Sequence, residues 1–301
     1  MAVLLFFGIG VLSIHSAVAI STNFTPRLET QLFGQTNEWG NSYNRITDFK
    51  SWEKSLSNGP KGIILGSSTA YRNINPFILD DVTKMNWFNL GSSSQSPVVS
   101  LALLKQITES PSHDISFVLF DVSVPVIDNN GYESVFDLIT NSKLEVSHKL
   151  ELFSIEPSLK MLNHLIYRSV KASLSGRDYL IKNQSNGEYL GKGFTCSPSA
   201  NTEFHLSDFE SGVQSLRMTE EINEIIELCK EEKIQLIINV SPVLNHTTRI
   251  EIRSDNIITN DEFNDSTAIY FDALHFNCKG SAVYSRKLAS KIMSIEGVRT
   301  K

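Results

Sequence analysis

Three residues of this 301-residue chain have the types and positions that nucleophilic chemistry needs: Ser68, Asp272 and His275. Ser68 stands where the apolar run Lys61-Gly62-Ile63-Ile64-Leu65 stops on Gly66-Ser67-Ser68. Asp272-Ala273-Leu274-His275 places an aspartate three residues before a histidine. There the carboxylate can hold one imidazole nitrogen while the other faces a nucleophile. Each piece also has a plainer reading. Gly-Ser-Ser is ordinary turn composition, Ser68 or Asp272 could cap a helix, and His275 could be a partly exposed histidine. A Gly-Ser-Ser turn could also hold a phosphate, with no role for His275.

Whether these residues meet depends on the elements that carry them. Gly62 to Leu65 reads as a buried strand. Asn75-Pro76 is an N-cap followed by proline at the first helical position, opening a short helix over Pro76 to Val82. Trp87-Phe88-Asn89-Leu90-Gly91 repeats the strand-and-glycine pattern, and Ser96-Pro97 starts a helix with Val98, Val99, Leu101, Ala102, Leu104 and Ile107 as its apolar stripe. Ile115 to Val122 reads as a central parallel strand. Between 124 and 215 the strand-helix rhythm breaks into an insertion, in which Leu159, Leu162, Leu165, Ile166 and Val170 share one helical face. The rhythm resumes with Met218, Ile222, Ile225, Ile226 and Cys229, the strand Ile234 to Val240, the run Ala268 to Phe271, and a last helix from Ser281 to about Met293. The pattern predicts an α/β fold: a doubly wound three-layer α/β/α sandwich with a mostly parallel five-stranded sheet plus a largely helical insertion. It occupies residues 61–299, after a connector at 21–60 that holds one helix near Ile46 to Leu56. The loop after the first strand and the loop before the last helix then share the carboxyl edge of the sheet, so two hundred residues of separation are no obstacle.

Composition narrows the partners. Lys and Arg total 27 against 33 Asp and Glu, a formal charge of −6, and no basic run could track a phosphate backbone. Nucleic acid is excluded as an expected partner. Cys196, Cys229 and Cys278 are widely spaced and form no C-x-x-C, so no zinc site is indicated, although one pair could bond. His113, His148, His164, His205 and His246 lack comparable partners and read as surface residues. Residues 1–20 carry no charged side chain apart from His15 and match the roughly 20 residues that cross a bilayer. Membrane anchor, signal peptide cut near Ala17-Val18-Ala19, and buried core helix all fit; the first two imply export and an extracytoplasmic location.

With these motifs in this order, the chain resembles the SGNH/GDSL hydrolase superfamily over most of residues 60–293 outside the insertion. The resemblance rests on Gly66-Ser67-Ser68 where the family has Gly-Asp-Ser, on Gly91 after the second strand, and on Asp272-Ala273-Leu274-His275 as the last block. It implies Ser68 as nucleophile, His275 as general base, Asp272 as its orienting carboxylate, and the N–H groups of Ser68 and Gly91 as oxyanion donors. Two departures stand out. The third block's Gly-x-Asn-Asp is replaced by Asp121-Val122-Ser123-Val124, leaving Ser123 as a weak substitute donor, and Ser67 replaces the aspartate of the first block. Gly-Ser-Ser, a short spacer and Asn-Pro look most like the membrane-tethered envelope branch. That implies an esterase or O-acyltransferase acting through an acyl-enzyme on an acylated glycan or small ester, with no cofactor or metal needed. The alternative is a catalytically inactive envelope protein that binds polysaccharide or a partner in the same cleft.

Overall fold

A computed structural model of the chain describes residues 10–18, 42–55, 59–110, 113–142, 144–175, 187–197, 212–216, 219–252, 254 and 256–295. Its centre is a five-stranded, all-parallel sheet. The strands β1 (Lys61–Gly66), β2 (Asn86–Asn89), β3 (Ile115–Val122), β7 (Gln235–Val240) and β9 (Ile257–Ile258) lie in the order β2-β1-β3-β7-β9. The chain leaves β1 toward β2 on one side and returns to β3 on the other. The carboxyl ends of β1 and β3 therefore flank a switch point, where such sheets bind ligands.

Both faces of the sheet are covered, which is why its strands are nearly continuous in apolar residues. Ile63, Leu65, Val118, Phe120 and Ile238 face one core, shared with α1 (Ser42–Glu53), α4 (Pro97–Thr108) and α8 (Glu220–Glu231). Ile64, Phe117, Leu119 and Ile237 alternate to the other. There they meet α2 (Ser68–Asn73), α3 (Pro76–Thr83) and α9 (Cys278–Ile292). Helix starts follow the local chemistry: the Asn75 side chain accepts from the Phe77 N–H with Pro76 at the first position, and Asn277 accepts from the Gly280 N–H.

Residues 124–215 add α5 (Tyr132–Asn141), α6 (Val146–Ile155) and α7 (Leu159–Ser175). They also add the antiparallel hairpin of β4 (Glu188–Gly191) and β5 (Phe194–Cys196), and β6 (Gly212–Leu216), which pairs in parallel with β8 (His246–Ile250).

Three expectations change. The fifth strand is not Ala268 to Phe271: Thr267–Ile269 is a 3-10 turn and Tyr270 makes only an isolated bridge to Phe276, while the two residues of β9 pair with β7. Only part of the apolar stripe of α7 is packed, Leu165 against the first core and Val170 against Tyr167. Leu159 is 87% exposed and Leu162 40%, whereas Met161, His164 and Tyr167 are buried, because α7 packs through them, with His164 edge-on to the Phe136 ring at 4.9 Å. His164 is accordingly not a surface histidine; His205, like Met218, lies outside the described residues. Among the described residues no helix is long and apolar enough to cross a membrane, and the span expected over residues 1–20 lies partly outside them. Of residues 1–20, the stretch 10–18 is helical, with His15 Nε2 and Asn163 Oδ1 2.7 Å apart and Val18 against Tyr167. Residues 1–9, 19 and 20, and the connector at 21–41, lie outside the described residues.

Candidate active site

Ser67 and Ser68 divide the work of the turn that follows β1. The Ser67 hydroxyl caps α2, accepting from the Thr69 N–H and lying 2.9 Å from the Thr69 hydroxyl. Ser68, first residue of α2, keeps its hydroxyl for another partner. The turn is tight: Gly66 has φ +146°, and a Cβ there would sit 2.4 Å from the Asp121 carbonyl oxygen. A β-carbon is excluded twice, by backbone conformation and by the approach of β3.

That partner is His275. The structure places its Nε2 2.7 Å from Ser68 Oγ and its Nδ1 2.8 Å and 2.9 Å from the two oxygens of Asp272. Asp272 Oδ1 also accepts the N–H groups of Leu274 and His275, both at 2.9 Å, so the carboxylate is fixed before the ring arrives. Burial pushes the Asp272 carboxyl up, but the hydrogen bond and charge of His275 and the two N–H donors outweigh it, holding the group below its ordinary value. An ionised carboxylate on Nδ1 keeps that proton there and leaves Nε2 facing the serine as acceptor.

Asn73, at the end of α2, sets the separation of the two halves. Its Nδ2 donates to the Leu274 carbonyl at 2.9 Å, and its Oδ1 accepts from the Phe276 N–H at 2.7 Å. These two bonds bracket His275 and tie its loop to the helix that carries Ser68. The loop has its own supports: the His275 carbonyl accepts from the Phe271 N–H, and Tyr270 and Phe276 are buried with ring centroids 4.6 Å apart. Cys278, three residues on, is bonded to Cys196 of the hairpin, with Cα atoms 5.2 Å apart; this is the pairing that the cysteine count left open. Cys229 is a buried free thiol pushed up to about 12 by desolvation.

Beneath the turn lies Asp121, 2% exposed. Its carboxylate accepts from Thr69 Oγ1 at 2.7 Å, Ser241 Oγ at 2.7 Å and Asn239 Nδ2 at 2.5 Å. Burial raises its pKa to about 6, against the opposing pull of those three donors. Thr69 thus links the residue next to Ser68 to the ends of β3 and β7. Sequence patterning points neither to Asn73 nor to this role of Asp121. Both follow from placing a polar side chain on a buried turn, where it needs partners.

The expected oxyanion donors are placed differently from one another. No acceptor among the described residues takes the Ser68 N–H. The Gly91 N–H donates to Asn89 Oδ1 at 3.0 Å, and Gly91 packs so closely that a Cβ would lie 2.7 Å from that of Ala70. Ser123 is buried with its hydroxyl unpartnered, and it lines a cavity of about 10 Å³ together with Ser67, Gln95 and Asp121. The structure does not hydrogen-bond Ser123 to Ser68, His275 or Asp272. Among the described residues no group of His, Cys, Asp and Glu is arranged to hold a metal ion.

Replacing Asn73 by Ala is expected to lower ester-hydrolysis kcat by about 10- to 100-fold through misplacement of His275, and to cost about 2 kcal/mol in denaturant unfolding; unchanged kcat would contradict the bracket. Asp121 gives a pH signature. Because its folded-state pKa lies above the ordinary 3.8, the folded protein retains a proton that the unfolded chain releases, and stability falls as pH rises from about 4 to 6 and then levels. Asp121→Asn removes this titration, so the stability of wild type relative to the variant is expected to drop by on the order of 2–3 kcal/mol between pH 4 and 7. A difference independent of pH would contradict it.

Comparison with known proteins adds a fold neighbour. No family model and no curated protein matches the chain. Among solved structures, one from Desulfitobacterium hafniense DCB-2, assigned to the G-D-S-L family of lipolytic proteins, is similar with 11% identity and a TM-score of 0.28. The match covers 77% of this chain and 99% of that one. A similarity at that score does not bear on the chemistry, which rests on the side chains described above.

Proposed function

We propose that this protein is a serine-dependent esterase or O-acyltransferase of SGNH/GDSL type. The observation that carries the reading is the continuous line Ser68 Oγ, His275 Nε2, His275 Nδ1, Asp272, each step within hydrogen-bond reach. In the reaction, Ser68 Oγ attacks an ester carbonyl as His275 Nε2 takes its proton. The carbonyl π-electrons move to oxygen, forming an oxyanion within reach of the Ser68 N–H. Collapse expels the alcohol, which receives the proton from His275, and leaves an acyl-enzyme. Water, activated by the same imidazole, then releases the acid and regenerates Ser68; a sugar hydroxyl in its place makes the protein a transferase.

An acylated glycan as substrate, and an extracytoplasmic setting, follow from the sequence resemblance and the apolar first twenty residues. The Cys196–Cys278 bond is consistent with that setting, since such bonds persist in oxidising compartments. A second reading has its own observation. With the Gly91 N–H committed to Asn89 and Ser123 buried, the Ser68 N–H is the one of the three expected donors left for an oxyanion among the described residues, as expected of an inactive relative that binds glycan in this cleft. Each missing donor lowers the rate by about 10² to 10³.

The full chain is expected to hydrolyse p-nitrophenyl acetate. Ser68→Ala and His275→Ala should each lower kcat by on the order of 10³ or more, and neither change should add much to the other. Wild-type turnover in either variant would refute the reading, and no turnover in the wild type together with glycan binding would favour the inactive one.

A further inference from the structure

Two arginines packed on Tyr71, three residues after Ser68, form no ion pair among the described residues. Arg45, on α1, is 1% exposed, and none of its three guanidinium nitrogens has a hydrogen-bond partner among the described residues. Its Cζ lies 4.7 Å from the Tyr71 ring centroid, and that of Arg72 lies 5.5 Å from the same ring. Asp137 acts on Arg45 through its field, and Arg72 opposes it as a like charge. No ion pair forms with either arginine among the described residues. A buried guanidinium with all its donors empty is costly, and structures retain such groups where something else fills them.

Position ties this pair to the nucleophile. Arg72 is four residues after Ser68 on α2, hence on the same helical face, and helical side chains lean toward the N-terminal end, which here is Ser68. Arg72 Nη1 donates to Ser197 Oγ at 2.9 Å, and the Ser197 carbonyl accepts from the Cys278 N–H at 2.7 Å, three residues beyond His275. The Tyr71 hydroxyl meets Ser93 Oγ at 3.3 Å, two residues beyond Gly91. Arg72 and Tyr71 therefore join the three segments that build the candidate active site, and Arg45 reaches them through the Tyr71 ring, on a chain whose net charge of −6 disfavours anions elsewhere.

We infer that Arg45 and Arg72 form an anion-binding subsite beside Ser68, so that the ester this protein takes carries a carboxylate or phosphate group near the bond that is cleaved. This deepens the esterase reading and rests on it for the word ester; the anion site itself does not. Arginine suits both anions, since its planar fork pairs with carboxylate and phosphate oxygens two at a time.

The test reads binding without turnover. In full-length ¹⁵N-labelled protein, the Nε–Hε resonances of Arg45 and Arg72 are followed while inorganic phosphate, D-glucuronate or D-glucose is added. Saturable shifts with an anion and none with glucose are expected. Phosphate alone assigns a phosphorylated substrate, glucuronate alone a carboxylate, and both the shared chemistry. Arg72→Gln, at a half-buried position, should weaken anion affinity by about 10-fold or more, with Arg45→Met as the second variant. No saturable shift with either anion, an equal response to glucose, or unchanged affinity in Arg72→Gln would overturn the inference. Hydrolysis of p-nitrophenyl acetate by the same sample separates the two failures: turnover without anion shifts overturns the subsite alone, and anion shifts without turnover overturn the esterase reading alone.

Discussion

Two hydrogen bonds from one asparagine decide whether this molecule has a site at all. Ser68 and His275 are 207 residues apart in sequence, and each sits on a turn whose position the sheet alone does not fix. Asn73 removes that freedom. It grips the backbone on both sides of His275 from the same six-residue helix that begins with Ser68. A shift of α2 then carries the histidine loop with it, and the 2.7 Å contact is preserved. The strand order completes the arrangement, because the switch point between β1 and β3 leaves the crevice open above this turn.

Below the turn, the physics is of a different kind. Asp121 is a carboxylate in a nearly dry setting, held by a threonine, a serine and an asparagine rather than by a cation. Asn239 extends the set to the Tyr284 hydroxyl, which also accepts from Asn260. Such a network is stabilising only while every member is satisfied. It joins β3, β7 and α9 under the nucleophile.

Much of this was legible in the sequence, for identifiable reasons. Ser68 stands at the end of the apolar run that forms β1, and Asp272 and His275 show themselves by their spacing and their place just before the last helix, although the run ahead of them is no strand. Pro76 and Pro97 marked their helices because each follows a residue type that favours the N-cap position, although only Asn75 and not Ser96 makes the side-chain bond, and the fixed φ of proline suits the first helical position while its missing N–H costs nothing there. Asn73 and Thr69 were not legible as positioning residues, since nothing in a polar helical turn announces a partner two hundred residues away. The fifth strand failed for a simpler reason: Ile257 and Ile258 are too few to show a period, while Ala268 to Phe271 imitates one. In α7 the apolar stripe misled in part, because burial follows the neighbour, and Phe136 met His164 instead of the leucines. The buried state of Arg45 was invisible too, because an arginine in a polar helix reads as surface.

The central claim is that Ser68 is a nucleophile activated by His275. Its most direct measurement is reaction of the full chain with a fluorophosphonate probe, followed by mass-spectrometric location of the adduct. The account predicts labelling at Ser68 in the wild type and its loss in His275→Ala. No adduct in the wild type, or an adduct on another serine, would contradict it.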